Sequence, residues 1–478
     1  MTPLATNWLV VLAYFAFTLW LGERVGRGQG TVEDYFLAGR RMPWWSTCLS
    51  IVGTETSTLT FVGVPAIAYA GDLTFLQVAM GYVVGRLLVA WLLVPAYFAG
   101  RIETAYELLA RRFGAVAQRV ASMIFLLSRC LADGVRLFAT ALVLQALLPM
   151  PLWLAVTGVS VVTLVYTLRG GLRAVIWNDA VQLIVYLSGA VLAFVLLVWR
   201  IPGGWEGARA VLEPLAKLRV FDMAWTWSNP YVFWAGLIGG ATLTMATHGT
   251  DQMFVQRLLA CGSARQARRA VVASGVLVLA QLALFLVLGS LLFVFYELHP
   301  PSHPFTSNDQ VFPRFIAEQM PPGIGGLVIA AVFAAAMSTL SSSMSSVASA
   351  ATLDFALRSQ DQRVESRALR ASRWYTVGAA VTLAMVAALA RAWGSVLEAG
   401  LTITSVTFGG VLGVFLLAGT SWRVRETHVA IALLAGVGAA LFAQQQTALA
   451  WTWLAPLGAT ITFAVGASFA MLSPIGEA

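Results

Sequence analysis

The chain predicts an all-α polytopic membrane protein. Of its 478 residues 59% are hydrophobic and only 11% charged, with a mean hydropathy of +0.79. Apolar stretches long enough to span a bilayer, about 20 residues each, recur from end to end. Basic residues are concentrated in alternate connections between them, and the opposite loops hold few.

Thirteen segments meet the length requirement: 7–22, 44–70, 73–99, 117–149, 151–168, 172–200, 231–260, 267–297, 323–353, 371–392, 395–419, 427–444 and 450–472. The first lacks a basic leader and a small-residue cleavage site, so it reads as a retained helix. Segment 44–70 carries Gly53, Glu55, Thr56, Ser57, Thr58 and Thr60 at its middle, poor material for a lipid-facing helix. In 117–149, Arg129, Asp133 and Arg136 share one helical face. Gly170-Gly171 separates the fifth and sixth segments, and the sixth carries Asp179 near its start. Segment 231–260 again has glycine and polar groups midway, at Gly239, Gly240, Thr244, Thr247, His248, Gly249 and Asp251. Segment 323–353 holds a hydroxyl run from Ser338 to Ser346 within an otherwise apolar span. The loops 201–230 and 299–322 read as irregular caps.

Arginine sets the expected orientation. Arg24, Arg27, Arg40 and Arg41 follow the first segment, Arg101, Arg111 and Arg112 the third, and Arg169 and Arg173 the fifth. Arg257, Arg265, Arg268 and Arg269 follow the seventh, Arg358, Arg363, Arg367 and Arg370 the ninth, and Arg423 and Arg425 the eleventh. All these connections fall on one side, so the positive-inside rule places the N-terminus outside and the C-terminus in the cytoplasm of an inner (plasma) membrane protein. The net charge of +8 thereby has a topological cause and calls for no nucleic acid. Cys48, Cys130 and Cys261 lack metal-ligand spacing and read as free thiols.

The chain reads as one membrane domain over 1–478. An extra helix and loop (1–43) precede a first half (44–200) and a second half (231–419), and two further helices (427–472) follow. Five helices per half make the halves run in opposite senses, the inverted-repeat plan in which half-helix ends build midplane sites. The opening helix of each half is then expected to be broken, and both segments have that composition. Hydroxyls at Ser338, Ser341, Ser342 and Ser345 share a helical face and suit a hard cation. The same small residues also serve close helix packing. Asp179, a lone carboxylate at that depth, needs a cation or a partner such as Arg173.

Three patterns resemble the sodium:solute symporter family, whose fold is a LeuT-type inverted five-helix repeat. Gly170-Gly171-Leu172-Arg173-Ala174-Val175-Ile176-Trp177-Asn178-Asp179-Ala180-Val181-Gln182 is similar to its GG-[LM]-x-A-V-x-W-T-D-x-x-Q signature, with Asn178 in place of threonine. Tyr35-Phe36-Leu37-Ala38-Gly39-Arg40-Arg41-Met42-Pro43-Trp44-Trp45 resembles the approach to its first core helix. The stretch from Ala335 through Ser346 to Asp354 resembles its eighth, and Val255-Gln256-Arg257 adds to the likeness. The resemblance implies a central sodium held by the carbonyls of Gly53 and Thr56, the carbonyl of Ala335, and the hydroxyls of Ser338 and Thr339. It implies a second sodium at Asp179, Ser341 and Ser342, so one or two coupling ions and no organic cofactor.

The expected function is sodium-coupled import of a small polar solute by a monomer in the bilayer, with an organic acid, amino acid or related zwitterion preferred. Glu55, Ser57, Thr60, Gln77, Arg136, Thr244, Thr247 and His248 are the candidate solute-binding residues. Glu55 at a helix break suits an ion, an amine or a proton, or pairs with a buried arginine, for which Arg129 and Arg136 are at hand. The alternatives are a proton-coupled carrier using Glu55 and Asp179, and a transporter-like sensor or scaffold. No P-loop, HExxH or G-x-S-x-G pattern supports an enzyme.

Overall fold

The computed structural model describes residues 3–148, 150–301, 303–356, 362–390 and 396–472. Arg358 and the segment ends at 149, 391–392 and 395 lie outside the described residues. Nineteen α-helices are built: α1 Pro3–Val25, α2 Val32–Leu37, α3 Trp44–Glu55, α4 Thr58–Ala70, α5 Leu76–Leu88, α6 Val94–Ala99, α7 Glu107–Phe113, α8 Ala115–Leu147, α9 Leu152–Arg200, α10 Gly204–Leu212, α11 Gly240–Thr250, α12 Gln252–Leu259, α13 Ala264–Leu298, α14 Val311–Gln319, α15 Ile324–Ala350, α16 Gln362–Leu389, α17 Val396–Ala418, α18 Glu426–Gln446 and α19 Leu454–Leu472. A π-helical turn, Val89–Leu93, joins α5 to α6.

Ten helices among the described residues are long and apolar enough to cross a membrane, eleven with the bent pair α3 and α4 counted as one span. The thirteen segments expected do not reappear as thirteen such helices, for two local reasons. The fifth and sixth run together as α9, whose 49 residues pass through non-helical Gly171 at φ 50°, ψ −154°. At 1.5 Å per residue α9 would be roughly 70 Å long if straight, more than twice the hydrocarbon thickness. A Cβ at Gly171 would lie 2.5 Å from the carbonyl oxygen of Tyr35, so the sharp turn needs glycine twice over, for its φ and for its space. The seventh segment is divided by extended Asp251 into α11 and α12, each too short to span alone.

The two ends of the bundle have different chemistry. At one end the arginine-bearing connections are laced together. Arg40 donates to Ile102 O at 2.7 Å, Arg112 donates to Thr420 O and Trp422 O at 2.9 and 2.7 Å, and Met42 N–H donates to Ala260 O at 3.0 Å. At the other end Lys217, the lone lysine of the sequence, donates to Tyr69 O and Gly71 O at 2.8 and 2.9 Å. These are carbonyls at the C-terminus of α4, where a cation is favoured.

Helix α15 is the axis of the fold, with nearly every residue buried. It packs on α1, α8, α9 and α16. α3 crosses α9 where a Cβ at Gly53 would lie 2.9 Å from Asp179 O. Gly53→Val should therefore lower the thermal unfolding temperature, at a cost of about 1–3 kcal/mol for forcing the helices apart. Gly378→Ala, where an added Cβ meets nothing within 4 Å, should leave it unchanged or slightly raised.

Candidate ion and solute sites

The bend between α3 and α4 is 64°. At the bend Ser57 N–H donates to Glu55 O at 3.1 Å, so it is lost to Gly53 O, its helical acceptor. The first helical bond of α4 is Phe61 N–H to Ser57 O at 3.0 Å. The Gly53 and Thr56 carbonyls are thus outside both helical ladders, in a buried site where unpaired oxygens are costly. α15 meets the bend at Thr54, between these two residues: Thr339 Oγ1 donates to Thr54 O at 3.1 Å and lies 3.3 Å from Ala335 O. Gln281 of α13 donates to Thr56 Oγ1 at 2.6 Å.

One turn away, Asp179 is completely buried. Its carboxylate accepts from Ser50 (2.6 Å), Thr54 (3.1 Å), Ser338 (2.8 Å) and the guanidinium of Arg257 (3.0 Å). Arg257, also fully buried, donates from Nε to Ser50 Oγ at 2.8 Å and from Nη2 to Ser342 Oγ. Ser341 and Ser342 donate to Ser338 O at 3.1 and 2.7 Å. The partner of Asp179 is therefore Arg257 from α12, in place of the Arg173 that sequence proximity offered.

A cavity opens on the inner side of the bend, lined by α3 and α4, α8, α11, α13 and α17. Glu55, Ser57, Thr60, Arg136, Thr244, Thr247 and His248 all face it. Gln77 does not. Its amide is spent on Thr74 O and Tyr231 O at 3.2 and 2.9 Å and on Asp222 N–H at 3.1 Å, fastening the loop that carries Asp222 and Tyr231.

Three arginines meet three carboxylates around the cavity. Glu55 pairs with fully buried Arg86 of α5, a correction to the Arg129 and Arg136 expected. Those two belong to a separate network: Arg129 pairs with Asp251 and lies 3.5 Å from Asp133, and Arg136 pairs with Asp133 at 2.6 Å. Ser343 also donates to Asp133. His248 stacks on Phe254 at 4.1 Å. Its Nε2 lies 3.1 Å from Arg86 Nη2, which can only donate, so Nε2 accepts and Nδ1–H points to Thr247 Oγ1 at 3.0 Å. An imidazole nitrogen that accepts from arginine has its lone pair engaged and is not free to ligate a metal.

Sequence reasoning missed Arg86, Arg257, Ser50, Thr54 and Gln281. Charge alone marked the arginines, since a guanidinium inside an apolar segment is costly without a partner; only the packing shows which carboxylate each one meets. Removing one member of the Arg86–Glu55 pair should strand the other. Arg86→Met and Glu55→Gln are each expected to destabilise by about 3–5 kcal/mol, and the double variant to recover a large part of that loss. Simple addition of the two losses in thermal or denaturant unfolding would show that the side chains do not act as a pair.

With this geometry in place, the comparisons with known proteins are specific. The profile of the Sodium:solute symporter family matches residues 35–436. The chain is 28% identical to the sodium/sialic acid symporter NanT of Aliivibrio fischeri, over 96% of this chain and 92% of that one. It is 30% identical to the sodium/sialic acid symporter SiaT of Proteus mirabilis, over 74% and 71%. A solved substrate-bound, outward-open Na+-coupled sialic acid symporter superposes with a TM-score of 0.89 at 26% identity, covering 98% of each chain. The inverted five-helix-repeat fold with a broken first helix stands on that likeness. The chain belongs to the sodium:solute symporter family, and it is a multi-pass plasma-membrane protein that couples solute movement to sodium, not an enzyme.

Proposed function

We propose that one sodium ion binds where α15 meets the bend, held by the carbonyls of Gly53, Thr56 and Ala335 and the hydroxyls of Ser338 and Thr339. The carrying observation is the pair of carbonyls released at the bend opposite hydroxyl-bearing α15. Oxygen donors of this kind suit a hard cation. The ion would bridge the α3–α4 bend to α15, so its arrival and loss would bias one arrangement of the bundle over another. A second sodium at Asp179, Ser341 and Ser342 would meet Arg257 in the same place. Two cations compete for one carboxylate there, so a second ion requires Arg257 to withdraw. One sodium per solute is the stoichiometry that this arrangement favours.

For the solute, a carboxylate-bearing molecule is the reading with most support. Arg136 is the cavity arginine with open surface, at 20% exposure of its side chain. Asp133 keeps Arg129 and Ser343 if Arg136 turns to an incoming anion. Both relatives named above are sialic acid symporters, and sialic acid carries such a carboxylate. A proton-coupled carrier finds less support, because Glu55 and Asp179 are each paired with an arginine. We further place the arginine-laced end in the cytoplasm and the Lys217 end outside, with repeat halves at 44–200 and 231–419, helices 1–43 and 427–472 outside them, and a monomer as the working unit.

Two measurements test this. Sodium, against choline and potassium, should raise the unfolding temperature of the purified protein saturably, and Ser338→Ala or Thr339→Ala should abolish most of the rise. In proteoliposomes a sodium gradient should drive uptake of sialic acid, with a hyperbolic sodium dependence. Arg136→Gln should weaken that uptake about tenfold or more, the loss of one charge-assisted contact. Sialic acid uptake indifferent to Arg136, or a sigmoidal sodium curve, would overturn the solute and stoichiometry readings respectively.

A further inference from the structure

We infer that the groove between α9 and α16 at the arginine-laced end binds the phosphate headgroup of an anionic phospholipid. The groove offers ≈ 460 Å³ and is lined by Leu168, Arg169, Arg370, Arg373, Trp374 and Val377. Arg370 and Arg373 stand three residues apart on α16, where like charges repel. Arg169 brings a third positive group from α9. Among the described residues it pairs with Glu23 at 3.6 Å, with both side chains more than half exposed, a pairing too solvated to neutralise the groove. Among the described residues Arg370 and Arg373 have no acidic partner.

The surroundings point to a lipid as the source of the anion. Trp374 is 70% exposed beside the arginines, and an indole at that position suits the boundary between headgroups and acyl chains. From it an exposed apolar stripe of Val381, Met385 and Leu389 descends α16 at helical spacing. A phosphodiester seated among the three guanidinium groups would leave its acyl chains along Leu168, Val377 and that stripe. Basic pockets between membrane helices next to the charged leaflet surface recognise headgroups in this way. The groove shares no lining residue with the solute cavity and none with the proposed sodium site, so occupancy would brace these helices without touching either ligand.

The test uses the full chain in neutral detergent, titrated with dioleoyl phosphatidylglycerol or dioleoyl phosphatidylcholine and followed by thermal unfolding. Phosphatidylglycerol should raise the unfolding temperature saturably by about 3 °C, and phosphatidylcholine should not. Arg370→Gln/Arg373→Gln should abolish the rise, and Arg169→Gln alone should shift the titration midpoint to higher lipid. Arg265→Gln/Arg268→Gln, which removes the same charge from the start of α13, should keep it. An equal response to both lipids, or an equal loss in the two double variants, would mean general attraction to a basic surface and overturn the site. The same rise with inorganic phosphate alone would make it a small-anion site and overturn the lipid reading. Unfolding temperatures in phosphatidylcholine confirm that each variant is folded.

Discussion

A buried carboxylate cannot remain ionised among apolar helices without positive charge close by, and Asp179 meets that requirement through Arg257. The pair does more than cancel charge. Ser50 and Thr54 come from α3, Ser338 and Ser342 from α15, Asp179 from α9 and Arg257 from α12, so one hydrogen-bonded cluster joins four helices. The close approach of α3 to α9 at Gly53 and the alignment of α15 with the bend both depend on it. The proposed sodium site shares Ser338 with this cluster.

The same rule governs the solute cavity. Glu55 with Arg86, and Asp133 and Asp251 with Arg129 and Arg136, leave the cavity electrically balanced when empty. A charged solute entering a balanced cavity must disturb an existing pair, and Arg136 is the arginine least committed by burial. Specificity in such a site follows from which pair can open at least cost, not from a free charge waiting for a partner. Glu55, conspicuous in the sequence, already has its charge partner in Arg86.

Much was legible before folding. Composition alone excluded a soluble domain, and alternate arginine-bearing loops anticipated an end of the bundle where those loops are tied together. The glycine, the glutamate and the hydroxyl cluster at 53–58 marked the interruption of a span, because a broken helix frees carbonyls that lipid cannot satisfy. The hydroxyl run after Ala335 correctly marked the helix that faces that bend. The break at Gly170 and Gly171 between two spans was visible too, although its form, one non-helical glycine inside an otherwise continuous helix, was not.

What the sequence determined by itself was the membrane class and the broken first span, from local composition and periodicity, the family, from motif resemblance, and seven polar residues of the cavity wall. Partner choice was decided only by tertiary structure. Nothing in the spacing of Asp179 and Arg257, or of Glu55 and Arg86, says that they meet, because helices distant in sequence bring them together. Gln77 shows the converse: a polar residue in a plausible span is turned away from the cavity by packing and used to fasten a loop. Charge pairing in a low-dielectric bundle is a property of distances between helices, and those exist only once the helices have packed.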